Sequence, residues 1–339
     1  MYEFLYGDRE LSNHSLYQTF RVVFYDYEEK SYVKDVDLWV HFAIKVANVE
    51  DFTLEIESGG QYEVPQFAYK NTSLRNLVLC GCKLNPSGSV NWSSLVSLSI
   101  RIIELTDGAM GKVLSGCPNL ECLELYNVSG IHRLEISSVK LRKLVIDDYM
   151  DGKLEILAPY IQHLQISGLC DQIHLRQRNV ASLVTAVLGY SNFEWRYEED
   201  NFEEEFSYLK EFLHGVAQVE NLELGPWCIE EILSKYTNED EQRRRFETYN
   251  FNSSLLHLKT IKIINFDGPL SGNKSIQPLV NCLLKHATVL EKFVIATRYK
   301  RSDVSRDYVK MEQEFLSFPR SSPHAYLAGP YCLNQLQHT

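Results

Sequence analysis

The sequence lacks an excess of basic residues, and this absence bears first on nucleic acids. Its 34 lysines and arginines stand against 45 aspartates and glutamates, which gives a formal net charge of −11. A protein that grips a phosphate backbone needs a basic face, and an acidic protein repels polyanions at long range. We therefore predict no nucleic-acid partner.

Long hydrophobic runs are also missing. No segment approaches the roughly 18 to 20 uninterrupted apolar residues of a membrane-spanning helix. Residues 1–9 carry acids and aromatics, whereas a secretory signal has a basic start and an apolar core. The eight cysteines are scattered through a chain too long to need disulfides, so we expect reduced thiols. These absences predict no membrane partner and a cytoplasmic and/or nuclear localisation.

Recognisable catalytic motifs are the third absence. The chain has no Ser/His/Asp ordering typical of a hydrolase, no glycine-rich phosphate loop and no His-Glu-x-x-His helix. Cys80 and Cys82 form a single pair, whereas a zinc site needs four ligands, typically from two paired clusters. We predict a protein that is not an enzyme and that holds no catalytic residue, metal or cofactor.

What the sequence does have is a repeat. The clearest copy, Leu74-x-x-Leu77-x-Leu79-x-x-Cys82-x-Leu84, is a complete match to the leucine-rich-repeat pattern, in which alternating apolar residues lie on a strand. Successive copies start 19 to 25 residues apart as far as Val180 and 32 to 39 apart beyond it. The other copies are Val49/Phe52/Leu54, Leu95/Leu98/Ile100, Leu120/Leu123/Leu125, Leu141/Leu144/Ile146, Ile161/Leu164/Ile166, the degenerate Val180/Leu183, Val219/Leu222/Leu224, Leu258/Ile261/Ile263 and Leu290/Phe293/Ile295.

The segments between the copies predict how the chain returns. Two half-period copies, Ile131/Leu134/Ile136 and Leu154/Ile156, alternate as strands do. Helical spacing of apolar residues occurs in three segments: residues 108–115, 202–214 and 276–286. Asp107 is the expected N-cap of the first. The predicted fold is an α/β leucine-rich-repeat solenoid. It is a horseshoe with a parallel β-sheet on its concave face and helices or short strands on its convex face.

The two ends of the chain differ from the repeats. Residues 1–48 mix strand pattern (20–27) with helix pattern (35–47), and we assign them to an N-terminal capping region. The solenoid covers residues 49–300. A C-terminal capping module covers residues 275–339 and overlaps the last repeat, with a helix over 303–318 and a short strand near 324–327. Caps are expected because an open repeat exposes its core.

Three segments resemble the plant F-box/LRR-repeat proteins: residues 114–125 (Leu-Ser-Gly-Cys-Pro-Asn-Leu-Glu-Cys-Leu-Glu-Leu), residues 73–80, and residues 281–295 followed by 315–323. The resemblance covers about residues 35 to 330, and the C-terminal module resembles the FBD module that closes many of these proteins. In that family an F-box docks on the Skp adaptor of a cullin ubiquitin ligase, while the repeats hold the substrate. The resemblance thus implies a substrate-recognition subunit of an SCF-type ligase.

The N-terminal segment departs from the family pattern. Residues 1–49 have neither the Leu-Pro start of the F-box nor its Arg-Trp pair, and Asp37-Leu38-Trp39-Val40 resembles the stretch just after an F-box. We therefore expect the Skp adaptor as a partner only if an F-box is supplied upstream. The alternatives are a small-molecule-sensing leucine-rich-repeat receptor and an orphan or decoy repeat protein outside ubiquitin ligation. An unrecognised hydrolase ranks far lower.

The residues between the buried leucines are the candidate site, because they face the concave side. They mix both charge signs, amides and an aromatic ring, which suits a protein partner. An anion pocket for a small molecule would need several cations close together, and only Arg101, Lys143, Lys262 and Lys292 are spread along this face. For any one residue the alternative is a merely solvated position. The predicted partner-binding residues are Ser99, Arg101, Glu124, Tyr126, Lys143, Asp147, His163, Gln165, Glu223 and Lys262.

Overall fold

The structure is a computed structural model. It describes residues 2–6, 19–24, 32–56, 62–147, 153–167, 173–174, 180–189, 216, 218–226, 228–229, 244, 255–266, 276–297, 313 and 315–332. The chain divides into two compact units, Met1–Ile161 and Gln162–Thr339.

The first unit is built on a parallel sheet. Its strands follow the order β1-β2-β3-β4-β5-β6-β8; β1 is antiparallel to β2, and each later neighbour is parallel. The described elements of this unit are β1 (Tyr2–Tyr6), β2 (Thr19–Phe24), α1 (Tyr32–His41), a π-helical turn (Phe42–Val46), β3 (Asp51–Ile56), a 3-10 turn (Gln66–Lys70), β4 (Asn76–Cys80), β5 (Ser97–Glu104), α2 (Asp107–Ser115), β6 (Cys122–Ser129), β7 (Arg133–Ser137), β8 (Lys143–Asp147) and β9 (Lys153–Leu157).

Alternation along each strand places the leucines in the core. Leu98 and Ile100 on β5 are fully buried, and they pair with Leu123 and Leu125 on β6. Burial of one such side chain contributes about 1.5 to 3 kcal/mol. The leucine pattern therefore fixes both the register and the buried face, because a slip of one residue would turn every leucine to the opposite side.

Main-chain hydrogen bonds join successive repeats at the start of each strand. The carbonyl of Val96 accepts the N–H groups of both Glu121 and Cys122, and the carbonyl of Glu121 accepts those of Arg142 and Lys143. The carbonyls of Glu50 and Arg75 accept the same two bonds from the repeats that follow them. We call this arrangement the forked carbonyl. It satisfies the backbone at the entrance to the strand without any side chain.

The returning segments of the first unit confirm one prediction and correct another. The half-period copies are strands, since β7 and β9 pair with each other in parallel. Helix α2 lies where the spacing indicates, but the choice of Asp107 as its cap was wrong. Thr106 is the N-cap, and its hydroxyl accepts the Ala109 N–H at 3.2 Å.

Asp107 instead joins two segments. Its carboxylate accepts the backbone N–H groups of Arg133 at 3.1 Å and His132 at 2.8 Å, at the start of β7. These two hydrogen bonds hold the pKa of Asp107 below its ordinary value, because they favour the charged form. Thr106 and Asp107 are adjacent, and both are residue types that cap helices. The Thr106 hydroxyl caps α2, whereas the Asp107 carboxylate accepts N–H groups at the start of β7.

The second unit repeats the same construction. Its strands follow the order β10-β12-β13-β14-β15-β16, all parallel, and the carbonyls of Gln162, Val184, Glu220 and Lys259 are forked in the same way. The described elements are β10 (His163–Ile166), β11 (Ile173–His174), β12 (Thr185–Leu188), β13 (Asn221–Leu224), β14 (Thr260–Phe266), α3 (Gln277–His286), β15 (Lys292–Thr297) and β16 (Tyr326–Cys332).

One repeat of the second unit lies three residues later than the spacing indicated. Strand β12 pairs Leu164 with Ala186 and Ile166 with Leu188, so the true copy is Leu183/Ala186/Leu188. Val180 is buried in the preceding turn, where its carbonyl accepts the Leu183 N–H. The assignment was wrong because Val180-x-x-Leu183 has the spacing of the first two repeat positions and Ala186 replaces the expected leucine.

The remaining structural predictions concern the later helices, the two ends of the chain and membrane spans. The helix over 276–286 is confirmed as α3, whereas the short strand expected near 324–327 begins only at Tyr326 and continues to Cys332 as β16. Residues 202–214 and most of 303–318 lie outside the described residues. The capping region over 1–48 and the FBD-like module over 275–339 stay predictions. Within the part of the chain that the structure describes, no helix is both long and apolar enough to cross a membrane.

Candidate protein-interaction surface

The residues that alternate with the buried leucines of the first unit form a grid of three rows on one side of the sheet. We call this grid the polar face; it is defined on β2, β3, β4, β5, β6 and β8 by cross-strand pairing. The first row is Thr19, Asp51, Asn76, Ser97, Cys122 and Lys143; the second is Arg21, Thr53, Val78, Ser99, Glu124 and Val145; the third is Val23, Glu55, Cys80, Arg101, Tyr126 and Asp147.

Six of the predicted site residues meet on three neighbouring strands of this grid. They are Ser99 and Arg101 on β5, Glu124 and Tyr126 on β6, and Lys143 and Asp147 on β8. Ser99 is buried, whereas the other five are partly exposed. The structure thus brings these six residues together on one face of the sheet, and their role in binding a partner stays a prediction.

Lys143 and Glu124 neutralise each other. The Lys143 Nζ lies 2.7 Å from Glu124 Oε1, and the Glu124 side chain is only 16% exposed. The hydrogen bond to Glu124 raises the pKa of Lys143. Cys122 donates to the same Oε1 from 3.9 Å, and burial, followed by the Glu124 charge, raises the pKa of that thiol. The Lys143 ammonium and the Glu124 carboxylate thus compensate each other within the sheet, and neither presents a full charge to a ligand.

Arg101 has a different environment. Its guanidinium carbon lies 5.0 Å from the centroid of the Tyr126 ring, and its Nε donates to Ser99 Oγ at 3.0 Å. A cation over an aromatic ring contributes about 0.5 to 1 kcal/mol at an exposed site. Burial, followed by the Glu124 charge, raises the pKa of Tyr126, so its hydroxyl keeps its proton. Across the described residues, no carboxylate lies within ion-pair distance of Arg101.

The backbone turns outward immediately after Arg101. Ile102 has a φ of +53°; Asn127, at the same register position on β6, has a φ of +49°, and Gly81, the residue directly after the end of β4, has a φ of +67°. Glycine and asparagine tolerate this left-handed conformation, whereas a β-branched residue is strained in it. Ile102 is nevertheless 61% exposed. Neither its conformation nor its exposure is explained by packing.

The remaining four predicted residues lie in the second unit. Glu223 and Lys262 are directly opposite each other on β13 and β14, and Lys262 Nζ lies 3.5 Å from Glu223 Oε2. His163 and Gln165 on β10 pair with Thr185 and Val187 on β12. The structure therefore brings Glu223 and Lys262 together, whereas β12 lies between them and the strand that carries His163 and Gln165.

Sequence reasoning missed part of the polar face. Arg21 forms an ion pair with Glu55 at 3.2 Å, and Asp51 accepts hydrogen bonds from Thr19 and Asn76. The signal for the β3 residues was available, because they flank the core positions of the Val49/Phe52/Leu54 copy. Arg21 was missed because residues 20–27 were assigned to a cap.

The described residues also bear on metal and thiol chemistry. Among them, no group of three or more histidine, cysteine, aspartate or glutamate side chains is placed to hold a metal ion. Burial raises the pKa of both Cys82 and Cys117 to about 12. A thiol with so high a pKa is a poor nucleophile at neutral pH.

The parallel strands, the leucine spacing and the forked carbonyls define a leucine-rich-repeat domain. The comparison with protein families agrees: residues 11–197 match the model of the LRR domain of At1g61320/AtMIF1. This match covers more than half of the 339 residues, and the chain belongs to that family.

Several curated proteins of Arabidopsis thaliana are similar to this chain. F-box/LRR-repeat protein At3g03360 is 35% identical over 203 residues, which is 56% of this chain and 40% of that protein. F-box protein At5g03100 is 33% identical over 162 residues (47% and 51%), and F-box/LRR-repeat protein 25 is 34% identical over 138 residues (38% and 53%). The chain thus spans about half, or less, of the length of these relatives.

Proposed function

We propose that this repeat domain is a non-enzymatic scaffold that holds a protein partner on its polar face. The observation that carries the proposal is the grid itself: six parallel strands present acids, cations, an amide and a tyrosine at fixed spacings on one surface. Protein interfaces combine such polar groups with aromatic and arginine anchors. Arg101 stacked over Tyr126 is an anchor of this kind on the described face.

The charges favour a protein over a small anion. A pocket for an anionic ligand needs cations that are free to converge on it. Lys143 is bound to Glu124 and Lys262 to Glu223, so each of these lysines is already neutralised by a carboxylate. Charges of both signs, with these lysines paired inside the sheet, instead give a surface that discriminates between partners by complementarity.

The names of the relatives extend the proposal to ubiquitin ligation. The chain would act as the substrate-recognition part of an F-box/LRR subunit of an SCF-type ligase, in the cytoplasm and/or the nucleus. The Skp adaptor would be a partner through an F-box placed ahead of the repeats. If no F-box is joined to them, the repeats would act as an orphan or decoy scaffold.

A photo-cross-linking residue at Val78 tests the scaffold proposal. Val78 lies in the second row of the polar face, between Thr53 and Ser99. The matched control carries the same cross-linker at Val139, which is 62% exposed and lies outside the grid. In a plant extract we expect defined protein adducts from position 78 and none from position 139. Equal adducts from both positions, or none from position 78, would contradict the proposal.

A fusion tests the ligase role separately. The F-box region of At3g03360 placed ahead of Met1 should recover the Skp adaptor and the partner cross-linked at position 78 in one complex. The unfused chain should recover the partner alone. Robust capture of the Skp adaptor by the unfused chain would contradict the proposed division of labour between F-box and repeats.

A further inference from the structure

Two consecutive residues point away from the core at the same place on two neighbouring strands. On β5, Ile100 and Ile103 are buried, so both Arg101 and Ile102 lie outside the core between them. On β6, Leu125 and Val128 are buried, and Tyr126 and Asn127 lie outside. The left-handed residues Ile102 and Asn127 cause this break in the alternation. We call the four outward residues Arg101, Ile102, Tyr126 and Asn127 the bulge patch.

The bulge patch carries a positive charge, on Arg101, for which the described residues supply no carboxylate partner. Arg101 uses its Nε on Ser99 and the face of its guanidinium on the Tyr126 ring. Its outer N–H groups have no carboxylate partner within the described chain, whereas Arg21 and Lys143 on the same face each have one. Glu124, the acid on the strand next to Arg101, is held by Lys143 at 2.7 Å. The guanidinium is therefore both oriented and available.

The same patch carries an apolar side chain that folding does not require. Ile102 is 61% exposed and occupies a left-handed conformation that is strained for a β-branched residue. The corresponding residues beside it are Gly81, directly after β4, and Asn127 on β6, which adopt the conformation with less strain. Strain of this sort is retained where it presents a side chain for use.

We propose that the bulge patch binds a partner peptide through an acidic residue that lies next to an aliphatic one. The peptide carboxylate takes the outer N–H groups of Arg101, and the aliphatic side chain packs on Ile102. Adjacent strands are about 4.8 Å apart and adjacent residues about 3.8 Å apart, so the four-residue patch matches the footprint of two peptide residues. This inference rests on the proposed function and names the chemistry of the partner at one place on it.

Charge complementarity decides for an acidic peptide. A basic side chain would place a second cation beside the uncompensated guanidinium, and a purely apolar segment would leave that guanidinium desolvated and unpaired, which costs free energy. A carboxylate on arginine forms the stronger, charge-assisted type of hydrogen bond.

The test begins with a random heptapeptide library displayed on phage and panned on the full chain. We expect enrichment of sequences in which Asp or Glu adjoins Leu, Ile or Val. The most enriched sequence, labelled with fluorescein and blocked at its termini, is then titrated against the protein by fluorescence anisotropy. Arg101→Gln should weaken binding about tenfold or more, since a hydrogen bond to a charged group is worth about 1.5 to 3 kcal/mol. Ile102→Asn should weaken it severalfold.

Ser97→Ala is the matched control, because Ser97 lies on the same strand and the same face but outside the bulge patch. It should change the affinity less than twofold. Replacing the peptide's Asp or Glu by Asn or Gln should reduce binding to the wild type and have little further effect on Arg101→Gln. Since Ile102→Asn relieves strain, its loss of affinity cannot be ascribed to unfolding, and a thermal melt of each variant verifies this.

Enriched peptides without an acidic residue, or equal affinities for wild type and Arg101→Gln, would overturn the inference. Those outcomes leave the scaffold proposal standing if the cross-linker at Val78 still captures a protein. Absence of adducts at Val78 removes the scaffold proposal, whatever the peptides do.

Discussion

Replacing Ile102 by asparagine should make the protein more stable. The substitution removes a β-branched residue from a φ of +53° and supplies the residue type that β6 already holds at the same register position, Asn127. Relief of the left-handed strain is worth about 1 to 2 kcal/mol. The loss is small, because Ile102 is 61% exposed and a strand preference for isoleucine contributes up to about 1 kcal/mol.

The net expectation is a rise in the free energy of unfolding of about 0.5 to 1.5 kcal/mol. In a unit of this size each kcal/mol moves Tm by about 2 to 4 °C, so a melt followed by circular dichroism should shift upward by about 1 to 6 °C. Urea titration of the same samples separates a change in the midpoint from a change in slope.

Two further variants make the reasoning refutable. Asn127→Ile introduces the strain on β6 and should lower stability by about 1 to 2 kcal/mol. Val139→Asn removes an equally exposed β-branched residue that is not in the left-handed region, and should change stability by less than about 0.5 kcal/mol. If Ile102→Asn and Val139→Asn shift the melt equally, the effect comes from lost surface hydrophobicity and the strain account is wrong.

Three other outcomes are expected. Gly81→Ala should abolish accumulation of folded protein, because a Cβ there would lie 1.8 Å from the backbone oxygen of Ile56. Gly111→Ala is the matched control in α2, where a Cβ would meet open space. It should raise the free energy of unfolding by about 0.5 to 1 kcal/mol in urea titrations. Asp107→Asn should cost stability at neutral pH. The folded-state pKa of Asp107 is lowered, so the charged carboxylate stabilises the fold fully at pH values above its ordinary pKa of 3.8. That stabilisation is lost as the pH falls through the folded-state pKa. The difference in free energy of unfolding between wild type and variant should therefore shrink from about pH 5 downward. The thiols of Cys82 and Cys117 should stay unreacted with Ellman's reagent at pH 8 and react on unfolding, because burial raises both pKa values to about 12; rapid labelling of the native protein would contradict this burial.

The repeats were predictable from the sequence because their spacing is itself the physical cause of the fold. Leu77, Leu98 and Leu123 pair strand by strand as their positions in the pattern require. The same reasoning placed Arg101 and Tyr126 side by side, since residues that flank paired leucines are themselves paired. In such a fold one complete copy gives the register of its neighbours.

The errors arose where a second feature imitates or hides the pattern. The turns before several strands bury an apolar residue of their own, among them Val180, Val216 and Leu255, so Val180 imitates a repeat position while Ala186 conceals one. At α2, capping depends on what lies opposite Asp107, and the backbone donors of β7 come from a segment 25 residues away. The strain at Ile102 has no sequence signature, because nothing in the residue type announces a positive φ.

The forked carbonyl has a consequence for how a protein of this kind can change. At the forked carbonyls the bonds from one repeat to the next come from main-chain atoms alone, and in the first unit they are made at the entrances to β4, β5, β6 and β8. Side chains on the polar face take no part in that junction, so a lineage can exchange them without rebuilding the joint between repeats. The side chains that would contact a partner are thus separate from the main-chain atoms that join the repeats. A repeat could acquire a new partner while the bonds to its neighbouring repeats stay the same.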